Sequence, residues 1–73
     1  MAIIDVKTEI SGTVWKIEKN TGESVAEDDA ILILESMKME IPVPAPVSGT
    51  IRELLVREEE TVTEGTVVAR IEA

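Results

Sequence analysis

The sequence predicts an all-β domain, a flattened barrel or sandwich of two antiparallel four-stranded sheets related by a quasi-twofold axis. Three observations predict it. The chain repeats itself at an offset of 37 residues, it is rich in Val, Ile and Thr between short turn signals, and it holds no helix-length periodic segment. The repeat sets Ser11-Gly12-Thr13 on Ser48-Gly49-Thr50. It continues through Ile4/Ile41, Val6/Val43, Glu23/Glu60, Val25/Val62, Glu27/Glu64 and Glu35/Glu72, with aliphatic exchanges at Ile10/Val47, Val14/Ile51, Ile17/Leu54 and Leu34/Ile71. One domain, 1–73, is thus divided into halves of about 4–35 and 41–72, joined by a hairpin at 36–40. Neither half closes a core alone, so the two must interlock.

The first strand of each copy carries edge signals. Asp5, Lys7 and Glu9 correspond to Pro42, Pro44 and Pro46; charges discourage pairing with another chain, and prolines remove backbone donors at every second position. The competing reading of the prolines is an ordinary Pro-rich loop. Turn signals follow at Ser-Gly, at Asn20-Thr21-Gly22, and at Glu27-Asp28-Asp29 or Glu64-Gly65. In the last strands Val67, Ala69 and Ile71 alternate with Val68, Arg70 and Glu72, so the first set, and with it Ala30, Leu32 and Leu34, is expected to face the core. Ile31 and Ile33 are then expected on the opposite face, covered in the first copy and wetter in the second. Trp15 reads as a partly buried strand residue.

Composition narrows the function. An 8.0 kDa domain has a thin core and no room for a deep catalytic cleft. Without cysteine or histidine it lacks a disulfide framework, the usual zinc ligands and the Cys-His and Ser-His pairs, which fits a reducing cytosol and a partner of enzymes better than an independent catalyst. The net charge of −8 and the single aromatic argue against nucleic acid. The longest apolar run, Ala30-Ile31-Leu32-Ile33-Leu34, is too short to span a bilayer, and the start carries no targeting pattern. A cytoplasmic protein, monomeric when free and without a membrane partner, is expected. Glu58-Glu59-Glu60 and Glu27-Asp28-Asp29 lack metal-site spacing and read as solvated acidic loops.

The joining hairpin reads Glu35-Ser36-Met37-Lys38-Met39-Glu40. A tight turn on Met37-Lys38 lacks the Asn, Asp or Gly that such turns use, so both residues are expected at strained positive φ, a violation of local preference that points to a displayed side chain. By itself a lone lysine beside glutamates is more simply a solvated charge. The repeat puts this hairpin at one pole and the chain's ends at the other.

Glu-Ser-Met-Lys-Met, followed by Ile41-Pro42-Val43-Pro44-Ala45-Pro46-Val47-Ser48-Gly49, resembles the attachment site of the biotinyl/lipoyl domain family, biotin carboxyl carrier type, and the resemblance spans nearly the whole chain. It implies a non-catalytic carrier subunit whose Lys38 is biotinylated by biotin protein ligase. It further implies that a biotin carboxylase loads a carboxyl group on that biotin, and that a carboxyltransferase, as in an acyl-CoA carboxylase, passes it on. A lysine amine is protonated at neutral pH, so the ligase must supply the base or the desolvation. The resemblance casts Met37 and Met39 as flanking recognition residues; Met39 serves either that role or hairpin packing, and Met37 is expected to be exposed. Glu35, Ser36 and Glu40 are further recognition candidates, with simple solvation the alternative for the acids.

The chain departs from the family at Glu59, where a second glycine is usual opposite Gly22, and at Asp28, opposite Gly65; Asp tolerates the left-handed conformation. The thumb insertion of some bacterial carriers has no room, and the chain is similar to the short, free-standing members. A lipoyl carrier shares the fold and lysine position but reads Asp-Lys-Ala at the turn, so Met-Lys-Met favours biotin. An unmodified interaction module of the same fold is the other alternative.

Overall fold

The computed structural model describes residues 2–73. It contains eight strands: β1 (Ile3–Lys7), β2 (Gly12–Ile17), β3 (Ser24–Val25), β4 (Ala30–Ser36), β5 (Met39–Pro44), β6 (Gly49–Leu54), β7 (Thr61–Val62) and β8 (Val67–Glu72). They form two antiparallel four-stranded sheets, ordered β1-β8-β6-β3 and β5-β4-β2-β7. In each sheet the two central strands come from one copy of the repeat and the two edge strands from the other. The halves therefore complete each other's sheets, and the molecule is elongated, 36 × 18 × 18 Å.

The core repeats with the sequence. Its buried side chains include the offset pairs Val6/Val43, Val14/Ile51, Val25/Val62, Ile31/Val68, Leu32/Ala69 and Leu34/Ile71. All are aliphatic, which explains the weight of Val and Ile: with sheets this small, compact branched side chains fill the space between layers without voids.

Strict alternation fails at one place in each copy, and there the sequence-based expectation is corrected. Ile31, expected on the outer face, is fully buried, as is Val68, whereas Ala30 and Val67 are only half-buried. The cause is a β-bulge. Pairing jumps from Ala30↔Pro44 to Leu32↔Val43 and from Val6↔Ala69 to Lys7↔Val67, leaving Ile31 and Val68 as the extra residues. A bulge sets two residues against one and re-aims the side chain. Leu32, Leu34, Ala69 and Ile71 face inward as expected, and Ile33 and Arg70 occupy the outer faces. A second pair of bulges falls between Val14 and Lys16 and between Ile51 and Glu53, at Trp15 and Arg52.

Two of the three prolines sit where edge protection requires. β5 and β1 are edge strands, and Pro42 and Pro44 lie exposed within β5. Pro46 lies beyond the end of β5, in the segment leading to β6.

The remaining turns carry the expected strain. Gly22 (φ 93°) and Glu59 (φ 74°), and likewise Asp28 (φ 75°) and Gly65 (φ 87°), are offset pairs in the left-handed region. Each backbone N–H there is used: Gly22 donates to Ile51 O at 2.8 Å and Glu59 to Val14 O at 2.7 Å, while Asp28 and Gly65 donate to Ala45 O and Thr8 O, both at 2.8 Å. These cross-copy bonds explain why Glu59 accepts a conformation that favours glycine: a different backbone would orphan a donor. The acidic loops serve the same turns. Glu23 accepts from Asn20 N (2.8 Å), Glu60 from Arg57 N (3.0 Å), and Asp29 from Ala26 N (2.9 Å).

Candidate functional site

β4 and β5 form a hairpin whose register runs from Leu34↔Ile41 through Glu35↔Glu40 to Ser36↔Met39, so only Met37 and Lys38 lie in the turn. Their φ values are 52° and 65°. Positive φ at both central residues is the requirement of the hairpin turn whose twist matches its strands, and it is normally met by Asn-Gly. For residues with a Cβ it costs about 1–2 kcal/mol each. The cost is tolerated because Leu32, Leu34 and Val43, buried lower in the same two strands, fix the register and leave two residues for the reversal.

The turn points its side chains into solvent. Lys38 is exposed, and among the described residues no carboxylate lies within ion-pair distance of it. Met37 is 92% exposed and Met39 60%, so hairpin packing holds less than half of Met39. Glu35 and Glu40, both exposed, stand directly opposite each other, and Ser36 is half-buried against Met39 in the register. The structure thus brings together all six residues singled out from sequence, at one tip. An unpaired amine on a two-residue turn, held by a rigid sheet, can be reached from several directions by an acylating enzyme.

The base of this hairpin rests on a glycine whose Ser-Gly setting predicts a turn but which lies in a strand. Gly12 is the first residue of β2, and a Cβ there would come within 2.7 Å of the carbonyl oxygen of Glu35; at the equivalent Gly49 it would come within 2.5 Å of the carbonyl of Glu72. Glycine is needed for this close backbone approach, and the signal was the repetition of Ser-Gly-Thr itself. The preceding serines tie the copies together, Ser48 Oγ accepting from Glu27 N at 3.0 Å and Ser11 Oγ from Glu64 N at 3.1 Å. Trp15, a strand residue of β2, is 47% exposed and is the extra residue of the β2 bulge.

An all-β repeat with an exposed lysine on its central two-residue turn defines a class of covalent carrier domain, and comparison with known proteins agrees. The family described as "Biotin-requiring enzyme", the biotin/lipoyl family, matches residues 3–71, and the chain belongs to it. It is 36% identical over 66 residues to the biotin/lipoyl attachment protein of Bacillus subtilis, covering 90% of each chain. It is 36% identical over 67 residues to the biotinylated protein TB7.3 homolog of Mycobacterium leprae, covering 92% of this chain and 94% of that one. A 40% identity over 60 residues links it to the dihydrolipoyllysine-residue acetyltransferase component of the pyruvate dehydrogenase complex of Corynebacterium glutamicum, where the match spans 82% of this chain but 9% of the relative. Among solved structures, the urea carboxylase of Kluyveromyces lactis superposes with a TM-score of 0.92 at 30% identity over 99% of this chain and 6% of that one. Attachment domains of this kind therefore occur both as small proteins of this length and as parts of long multidomain chains.

Proposed function

We propose that this chain is a biotin carboxyl carrier whose Lys38 is acylated by a biotin protein ligase. The observation that carries the reading is Lys38 itself, free of ion pairs among the described residues and displayed by a turn that accepts strain at both of its residues. The similarity to a relative named as biotinylated, over nearly the full length of both chains, supports biotin as the group.

The attachment step needs little from the carrier but position. The Lys38 ammonium gives up a proton to the ligase, and Nζ attacks the acyl carbon of biotinyl-AMP. The amide bond forms as AMP leaves, and the positive charge of Lys38 is lost. Met37 and Met39 flank the amine with unbranched, polarizable side chains that adapt to more than one partner surface. Met37 and Lys38 stand exposed at the tip, which leaves space for a bulky bicyclic group on a long arm. Bound at Lys38, biotin supplies a nitrogen that accepts and returns a carboxyl group. The rigid sheets keep the arm's root fixed, so transfer between a biotin carboxylase and a carboxyltransferase is an encounter at high effective concentration. An acyl-CoA carboxylase is the proposed setting.

A lipoyl carrier is the second reading, favoured by the likeness to the acetyltransferase component above. Intact mass after incubation with biotin protein ligase, ATP and biotin, and separately with a lipoate ligase and lipoate, decides between them. One biotin adduct, absent from Lys38→Arg, supports the first reading. A lipoyl adduct alone overturns it, and no adduct from either enzyme leaves an unmodified interaction module.

A further inference from the structure

The outer faces of the two sheets occupy equivalent places in the repeat but differ in chemistry. On β1-β8-β6-β3, Arg70 donates to Asp5 at 3.1 Å and to Glu53 at 2.8 Å, and Arg52 donates to Glu72 at 3.0 Å. The carboxylates hold the Arg70 guanidinium even more firmly protonated than usual. Every charge in this network has an opposite partner, as on an ordinary solvated surface.

The offset of 37 maps Arg70, Asp5, Glu53, Arg52 and Glu72 onto Ile33, Pro42, Lys16, Trp15 and Glu35. Ile33 pairs with Pro42 on one side and Lys16 on the other, so the row of ion pairs becomes a row that is apolar over β4 and β5. Trp15, the only aromatic of the chain, takes the bulge position of Arg52. That exchange also strips Glu35 of the cation its counterpart Glu72 has. Among the described residues neither Glu35 nor the facing Glu40 has a cation within ion-pair distance. One sheet thus presents a half-exposed indole with Ile33 and Pro42, edged by two uncompensated carboxylates.

This face is continuous with the Lys38 hairpin. Trp15 is the unpaired residue between Val14↔Leu34 and Lys16↔Ile33, and Leu34 is two residues, about 7 Å, from Ser36 at the root of the turn. An enzyme that brings an acyl group to Nζ must come within one lysine side chain of the turn, whereas an enzyme acting at the far end of the attached arm stands farther off.

We propose that Trp15, Ile33 and Pro42, edged by Glu35 and Glu40, form the docking surface for the enzyme that acylates Lys38, and that this enzyme offers an apolar seat for the indole with Lys or Arg on its rim. The inference rests on the carrier reading above. A buried tryptophan anchor supplies affinity, and the facing charges supply orientation and encounter rate.

The test is the steady-state rate of biotin incorporation by biotin protein ligase into wild type, Trp15→Arg and, as control on the opposite sheet, Arg52→Ala. Arginine already occupies the equivalent bulge, so Trp15→Arg has a fold-compatible precedent within the molecule. Its kcat/KM is expected to fall about tenfold, carried by KM, with Arg52→Ala unchanged. Independently, the fluorescence of wild-type Trp15 is expected to shift to shorter wavelength when ligase is added without biotin, and this measurement stands even if the variant does not fold. A wild type that takes up biotin with no fluorescence shift, or a folded Trp15→Arg with unchanged kcat/KM, overturns the inference alone. A wild type that takes up no biotin overturns the carrier reading, and the inference with it.

Discussion

The Met37-Lys38 turn and the meeting of Ala2 with Ala73 occupy equivalent places in the two sheets. At the second, Ala2 and Ala73 exchange backbone hydrogen bonds of 3.1 and 2.9 Å and extend the β1–β8 ladder. At the first, the ladder ends at Ser36↔Met39 and the chain reverses through two residues at positive φ. The inner frame beneath is matched: Gly12 with Gly49, Val14 with Ile51, Leu34 with Ile71. The difference teaches that the repeat builds the scaffold twice, while the strained turn and its lysine exist once. The displayed amine stands at the place where the symmetry of the frame is broken.

The comparison breaks most completely at Lys38. Lys38→Arg is expected to abolish the biotin adduct in intact-mass measurements while the circular dichroism spectrum and urea midpoint stay as in wild type, because an exposed tip adds nothing to the core. Loss of the fold would show that the turn is part of the scaffold after all.

The glycines sharpen it next. Gly12→Ala and Gly49→Ala each push a Cβ against a backbone carbonyl, and each is expected to lower unfolding free energy by about 1–3 kcal/mol in urea titrations. Only Gly12→Ala displaces Glu35 at the base of the hairpin, so only it should also slow ligase-catalysed acylation. Equal acylation rates for the two variants would separate the hairpin from its support.

A smaller effect has the opposite sign. Replacing Met37-Lys38 by Asn-Gly takes one Cβ out of the left-handed region and puts the better-tolerated Asn at the other position, and is expected to stabilise the fold by about 1 kcal/mol while abolishing attachment. Glu59→Gly should raise stability by a lesser amount and leave attachment untouched, since that turn serves the scaffold only. A destabilised Asn-Gly variant would mean that the turn is not strained.

The smallest effect belongs to the outer face. Arg70→Ile, which copies the chemistry of Ile33, loses only exposed ion pairs, so its stability difference from wild type should be slight at low salt and vanish at high salt in the same urea assay.

Much of this was legible in the residues. The offset that aligns Ser11-Gly12-Thr13 with Ser48-Gly49-Thr50 gave the number of copies and the central place of Lys38, and the positive φ of the Met37-Lys38 turn followed from its lack of Asn, Asp or Gly. The burial of Ile31 and Val68 did not, because a bulge is a property of two strands: only the partner's register shows that one residue is surplus. For the same reason Ser11-Gly12 signals a turn in one dimension and a close backbone approach only once Glu35 is set against it.

The sequence by itself determined the all-β class, the duplication and the central place of Lys38 in the repeat, since these rest on residue type and on matches along one chain. Tertiary structure alone decided which copy supplies the centre and which the edges of each sheet, where Trp15 stands relative to Lys38, and which carboxylates keep a cation. These depend on pairings between residues far apart in the chain, and a local pattern carries no information about its partner across the sheet.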